Sequence, residues 1–357
     1  MNDAIKQFKL SGNAVSCEPY GSGHINHTQL VVTDSGKRYI LQQINNTIFK
    51  DVDALMENII AVTGHIAKND PDPRHVLTLV PTVDGKAYYK DAEGRYFRVY
   101  DFIEDSICLD KAETAEDFYQ SAVAFGNFQN QLADFPAATL HETIPQFHDT
   151  PNRYAQLDAA IAADVKGRLK EVGPEIDFVM ARREEAATMM NMLKAGELPL
   201  RVTHNDTKIN NVLFDEETRK ALVVIDLDTV MPGLVGHDFG DAIRFAANFV
   251  EEDSPRADKA GVNLNVYWAF AEGFLKETAA TLTPREVETL GLSCFALACE
   301  LATRFLDDYI VGDKYFKIKN AEHNLVRTRC QIALARDMQR KMNAMSAIVR
   351  DCARRYR

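Results

Sequence analysis

The sequence predicts an α+β chain, with a small N-terminal lobe on an antiparallel sheet and a larger, mostly helical C-terminal lobe. Three observations predict it. Aromatic and β-branched runs separated by turn residues fill the first hundred positions. Helical periodicity takes over past Glu104. A strand, a polar loop and a hairpin interrupt the helices at 198–226. The boundary this implies puts residues 1–103 in the first lobe and 104–357 in the second, and the 357-residue length suits two lobes.

Val31-Val32-Thr33 and Arg38-Tyr39-Ile40-Leu41 flank Asp34-Ser35-Gly36, the signature of a hairpin. A helix is expected from about Asp51, because Leu55, Ile59, Val62 and Ile66 recur at helical spacing. Tyr96-Phe97-Arg98-Val99-Tyr100 reads as a strand after turn residues at 91–94. Thr114, with Asp117 three residues on, opens a helix carrying Phe118, Ala122, Phe125, Gln129 and Leu132. Residues 150–195 continue helical, and 198–203 form a short strand. Val212-Leu213-Phe214 and Ala221–Ile225 pair around Asp215–Thr218. Thr283-Pro284-Arg285-Glu286 supplies an N-cap, a first-turn proline and a capping-box glutamate. The tail from Gln331 is amphipathic through Ile332, Met338, Met342 and Ile348.

The net charge is −11, from 41 basic and 52 acidic residues, so a nucleic-acid partner is not expected. A phosphate-bearing ligand would have to be held locally, by backbone amides and a divalent cation. The polar N-terminus and the lack of a run of about 18 apolar residues argue against export or a membrane span. Six scattered cysteines without a C-x-x-C pair read as buried, reduced thiols, in a cytoplasmic protein. No coiled-coil pattern stands out, and a monomer is expected.

The chemistry concentrates in His204-Asn-Asp-Thr-Lys-Ile-Asn-Asn211 and Val223-Val-Ile-Asp-Leu-Asp228. Phosphoryl transfer asks for an oriented acceptor hydroxyl, a proton acceptor and metal ions to neutralise charge on the moving group. Asp206 suits the base, and Asn211 and Asp226 suit Mg²⁺ ligation through hard oxygens. Lys208 stands where a cation meets the γ-phosphate. Asp228 either bridges a second metal or orients Asp226. His204 reads as a brace for the loop backbone.

This segment resembles the catalytic and metal-binding motifs of the aminoglycoside phosphotransferase and choline kinase group, which shares the two-lobed protein-kinase-like fold. Within it the chain resembles most the bacterial N-acetylhexosamine 1-kinases. That likeness runs through Glu18–Asn26, Arg38–Asn45, Phe147–Pro151, Arg201–Leu213, Ile225–Thr229, His237–Phe245 and Glu322–Arg329, nearly the whole chain. It implies ATP and Mg²⁺ as cofactors and phosphorylation of the anomeric hydroxyl of N-acetylglucosamine or N-acetylgalactosamine. By the same resemblance Gly21 and Gly23 lie in the loop covering the nucleotide, and Tyr100 and Phe102 lie in a hinge whose backbone meets adenine. His24, Asn26, Arg304 and Tyr315 are expected at the acceptor sugar. Asp238 and Asp241 are expected to hold the catalytic loop. One departure stands out: Gln42 and Gln43 occupy the strand where the wider group carries a cation for the α- and β-phosphates, which puts Glu57 in doubt as the partner of such a cation. Kinases of an aminoglycoside, choline or homoserine, and a regulatory nucleotide-binding pseudokinase, are the competing readings. The pseudokinase is disfavoured because Asp206, Asn211 and Asp226 all stand.

Overall fold

Successive hairpins build the N-terminal sheet in the computed structural model, which describes residues 3–21 and 25–357. Strands β1 (Ala14–Pro19), β2 (His27–Thr33) and β3 (Arg38–Ile44) run antiparallel in sequence order. The β2–β3 turn closes through Gly36 at φ +82°, a conformation that glycine adopts without strain. Helix α1 (Val52–Asn69) begins where the Asp51 side chain accepts the Ala54 amide at 3.0 Å. Its Leu55, Ile59, Val62 and Ile66 are all buried, as their spacing requires. Strands β4 (Tyr89–Lys90) and β5 (Tyr96–Asp101) complete a five-stranded sheet ordered β1-β2-β3-β5-β4.

Alternation gives this sheet two different faces. Tyr39, Leu41, Phe97 and Val99 pack with Ile5, Phe8, Val31 and Val80 in an apolar cluster. The other face of the same two strands carries Ile40, Gln42, Arg98 and Tyr100, with Gln42 paired directly to Arg98.

The chain continues through β6 (Ser106–Cys108), α2 (Ala115–Gln131), α3 (Thr150–Ala163), α4 (Gly173–Met180), α5 (Arg183–Ala186) and α6 (Thr188–Lys194). Then come β7 (Arg201–Thr203), β8 (Val212–Asp215), β9 (Ala221–Val224), α7 (Val235–Ala246), α8 (Leu264–Thr278), α9 (Pro284–Val311) and α10 (His323–Tyr356). Capping boxes at Thr114 and Thr283 start α2 and α9 at the positions their sequences mark. On α10 the buried stripe runs through Met338, Met345, Val349 and Cys352, whereas Met342 and Ile348 are half-buried flanks.

Two units result. One comprises Met1–Lys111, Asp134–Pro145 and Asn210–Pro232; the other comprises Ala112–Ala133, Gln146–Ile209 and Gly233–Arg357. The sequence places a single boundary after residue 103, but β6 pairs with β8 and β8 with β9, through Ile107↔Phe214 and Val212↔Val224. That three-stranded sheet carries the hairpin into the first unit.

The most apolar helix among the described residues is α9, which is interrupted by Glu300 and Arg304 and mostly buried, as a core helix is. No disulfide forms among the described residues. Cys294, Cys299, Cys330 and Cys352 are buried, but Cys108 is exposed and Cys17 half-buried, against the expectation of buried thiols throughout.

Within the second unit glycines set how closely helices approach. A Cβ on Gly240 of α7 would lie 2.7 Å from the Ser293 carbonyl oxygen on α9, and one on Gly236 would lie 2.9 Å from the Ser293 Cβ. Gly240→Ala is therefore expected to destabilise by about 1–3 kcal/mol in urea unfolding. Gly64→Ala on α1, where a Cβ meets nothing within 4 Å, should instead stabilise by about 0.5–1 kcal/mol.

Candidate active site

In the second unit, the loop after β7 is shaped by one buried carboxylate. Asp238, in the first turn of α7, accepts the His204 amide at 2.9 Å, the Asn205 amide at 2.8 Å and the Gln129 Nε2 at 2.7 Å. Its carbonyl accepts the Thr207 hydroxyl at 2.8 Å. These bonds hold Asn205 at φ +64°, a left-handed conformation that a side chain resists. Burial pushes the Asp238 carboxyl up, and the His204 ring and the three N–H donors oppose that shift. His204 itself is fully buried against the edges of the Phe125 and Phe128 rings.

The loop so folded presents Asp206 and Lys208, both half-buried, with Lys208 Nζ 2.7 Å from Asp206 Oδ1. Burial opposes the lysine's charge, but the Asp206 carboxylate outweighs it and holds Lys208 above the ordinary range. Asp241 lies in the same field. Burial pushes its carboxyl up, but Arg244, 2.7 Å away, together with His148 and Lys208, keeps it below the usual value.

In the first unit, β8 and β9 bring Asn211 and Asp226 to one end of their hairpin, where the Ile225 amide donates to the Asn211 carbonyl at 2.8 Å. Asp226 adopts φ +58°, ψ +58°, a left-handed conformation for a non-glycine residue. A neutral amide oxygen and a carboxylate at one hairpin end fit Mg²⁺, which completes its shell with phosphate and water oxygens. Asp228 is committed to protein partners: Arg98 Nη1 lies 2.5 Å from its Oδ1, and Asn26 Nδ2 donates to its Oδ2 at 2.6 Å.

Gln42 accepts from Arg98 Nε at 2.9 Å and donates to the Thr28 hydroxyl at 3.1 Å, on the sheet face that holds Arg98 and Tyr100. Gln43 points to the opposite face, paired with Phe97. Tyr100 is buried with the Arg98 guanidinium 5.4 Å from its ring centre. The Phe102 amide donates to the Arg38 carbonyl at 3.3 Å, and Arg38 stacks 4.2 Å above the Phe102 ring. Glu57 contacts His141 at 2.7 Å. Gly21 takes φ +77° with open space around it; Gly23 and His24 lie outside the described residues.

A second cluster in the second unit surrounds Arg304. Its guanidinium lies 5.2 Å from the Phe147 ring centre, 5.6 Å from Phe316 and 5.8 Å from Tyr315. One turn earlier on α9, the fully buried Glu300 accepts from Thr150 at 2.7 Å and meets His148 Nδ1 at 2.8 Å. Burial alone would raise this carboxyl, yet His148, Arg304 and Thr150 hold it at about 2. Arg153 donates to the Phe147 carbonyl at 2.8 Å; burial and then repulsion from Arg304 push its guanidinium down, opposed by Glu300. Tyr315 is 65% exposed, and it lies past the end of α9 rather than within a helix. Asp308 holds that loop by accepting the amides of Lys314, Tyr315 and Phe316 at 2.7, 2.8 and 3.0 Å.

Sequence reasoning missed Arg98, Phe147, Arg153 and Glu300. Arg98 carried a signal, as a lone charge inside an apolar strand. Glu300 and Arg304 carried another, since their i, i+4 spacing places them on one helix face.

A family model described as phosphotransferase enzyme family, APH, matches residues 16–274. Solved structures of the same fold include a microcompartment-associated aminopropanol kinase, at TM-score 0.61 and 16% identity, covering 96% of this chain and 97% of that one. An aminoglycoside phosphotransferase from Alicyclobacillus acidocaldarius gives 0.62 and 12%, covering 99% and 96%. An amicoumacin kinase bound to AMP-PNP, Ca²⁺ and amicoumacin gives 0.61 and 10%, covering 92% and 91%.

Asp206→Asn is expected to lower kcat by about 10²–10⁴-fold while the affinity for Mg·ATP, measured by calorimetry, stays within a few-fold of wild type. Near wild-type turnover in this variant would remove Asp206 from the role of base.

Proposed function

This chain belongs to the phosphotransferase enzyme family, and from that premise we propose that it transfers the γ-phosphoryl group of ATP to the anomeric hydroxyl of an N-acetylhexosamine. The transferase chemistry follows from the family. The acceptor rests on one observation, the Arg304 guanidinium set beside the Phe147, Tyr315 and Phe316 rings.

The Arg304 guanidinium beside these rings disfavours a cationic acceptor. Aminopropanol and an aminoglycoside, the acceptors that two of the similar kinases are named for, are amines, and an ammonium group here would meet like charge. A neutral sugar suits the cluster better. Guanidinium N–H groups donate to hydroxyl and acetamido oxygens, and aromatic rings cover the apolar face of a pyranose. In this reading Arg304 and Tyr315 bind the sugar. Glu300, pinned by His148 and Thr150, fixes the Arg304 side chain from one turn away.

The residues of the catalytic loop then divide the work. Asp206 accepts the proton of the attacking hydroxyl. Lys208, paired with Asp206 in this structure, moves to the γ-phosphate when nucleotide arrives. Asn211 and Asp226 would hold Mg²⁺, which when bound neutralises charge on the phosphates.

The test is ATP consumption against a panel of N-acetylglucosamine, N-acetylgalactosamine, their 1-O-methyl glycosides, an aminoglycoside, choline and homoserine. The free N-acetylhexosamines should turn over and the methyl glycosides should not, because the anomeric oxygen is blocked. Turnover of an amine with both sugars inert would overturn the acceptor and leave the family chemistry standing. Arg304→Met should raise the sugar KM about 10–100-fold, the loss of a charged hydrogen bond, with the ATP KM unchanged.

A further inference from the structure

We infer that Arg98 is a positioning residue for the metal-binding hairpin: it anchors Asp228, and through Asp228 the left-handed Asp226, from the strand next to the one where a phosphate-side cation was expected. The inference rests on the phosphotransferase reading but not on the identity of the acceptor.

Arg98 is 1% exposed, the largest fully buried side chain among the described residues. A guanidinium so enclosed must be neutralised in place, and Asp228, itself 2% exposed, does so at 2.5 Å. The contact is a close ion pair between Arg98 Nη1 and Asp228 Oδ1. Alignment comes from the side, through Arg98 Nε on Gln42 and Gln42 on Thr28. Gln42 therefore keeps a role, but as the orienter of an arginine.

The far side of Asp228 is tied as firmly. Asn26 donates to Asp228 Oδ2 at 2.6 Å, and its own Oδ1 accepts the Asn45 amide at 3.0 Å. The Thr143 hydroxyl donates to the Asp228 carbonyl at 3.2 Å. With an ion pair on one carboxylate oxygen and a hydrogen bond on the other, Asp228 is held as an anchor for the turn that carries Asp226. Only Leu227 separates it from Asp226, so fixing Asp228 fixes the turn that aims the Asp226 carboxylate. The β1–β2 connection enters the same node through Asn26. Arg98 thus restrains both the segment that holds the metal and the end of the loop expected over the nucleotide.

A purely structural ion pair and a positioning device respond differently to replacement. Buried ion pairs exchanged for apolar residues of similar size often keep or gain stability, whereas loss of an outer-shell partner typically costs about 10–100-fold in metal affinity. The experiment titrates Mg²⁺ by calorimetry into enzyme saturated with ADP, with no acceptor present, alongside ADP titrations without metal and thermal melts. Arg98→Met is expected to weaken Mg²⁺ affinity about 10–100-fold and leave metal-free ADP affinity within about 3-fold, with Arg98→Lys falling between. The double variant Arg98→Met with Asp228→Leu should recover the wild-type Tm but not the Mg²⁺ affinity. Wild-type Mg²⁺ affinity in the double variant would overturn the inference and leave the pair structural. So would an equal loss of metal-free ADP affinity in Arg98→Met, which would place the guanidinium on the phosphates directly.

Discussion

The catalytic loop depends on a carboxylate that never meets substrate in the proposed reaction. Asp238 receives two consecutive backbone amides, a glutamine side chain and, through its carbonyl, a threonine hydroxyl. A hydrogen bond to a charged group contributes about 1.5–3 kcal/mol, and a left-handed non-glycine residue costs about 1–2 kcal/mol. Two such bonds, to His204 and Asn205, therefore outweigh the strain at Asn205. The loop holds its shape because α7 holds Asp238, and α7 is held against α9 by glycines with no Cβ to intervene. Rigidity at Asp206 thus comes from helix packing one layer beneath it.

Charges in the second unit alternate in sign: Asp206 with Lys208, Asp241 with Arg244, Glu300 with His148 and Arg304. Asp241 senses both Lys208 and His148, so the loop residues and the Arg304 cluster share one electrostatic field. Within it Arg153 and Arg304 repel each other. Glu300 and Asp149 offset that repulsion at Arg153, which also donates to the Phe147 carbonyl at 2.8 Å.

Local rules made most of the fold legible. The caps at Asp51, Thr114 and Thr283 and the α1 stripe depend on neighbours in sequence and were readable there. The extent of the first unit was not readable, because the β6–β8 pairing joins residues about a hundred positions apart. The same limit governed the site. Asp206, Asn211 and Asp226 fall within one short stretch with a recognisable spacing. Arg98 and Asp228 lie far apart in the chain, and no periodicity joins them. Arg153 likewise meets Arg304 only through folding. The end of α9 at Val311 was blurred because Tyr315 and Phe316 are aromatic and follow it closely; the stop is Gly312 at φ +98°.

Gln42 and Arg98 sit directly opposite on neighbouring antiparallel strands, where Cβ atoms are about 5 Å apart. A motif scan reads along one strand at a time and scores a glutamine in place of a cation as a deletion. Across the sheet a positive charge does remain on the same face, one strand over, but it is spent on Asp228 beside the metal-binding turn and not on the phosphates. Absence of a basic residue from a linear motif is therefore weak ground for declaring such a chain catalytically dead.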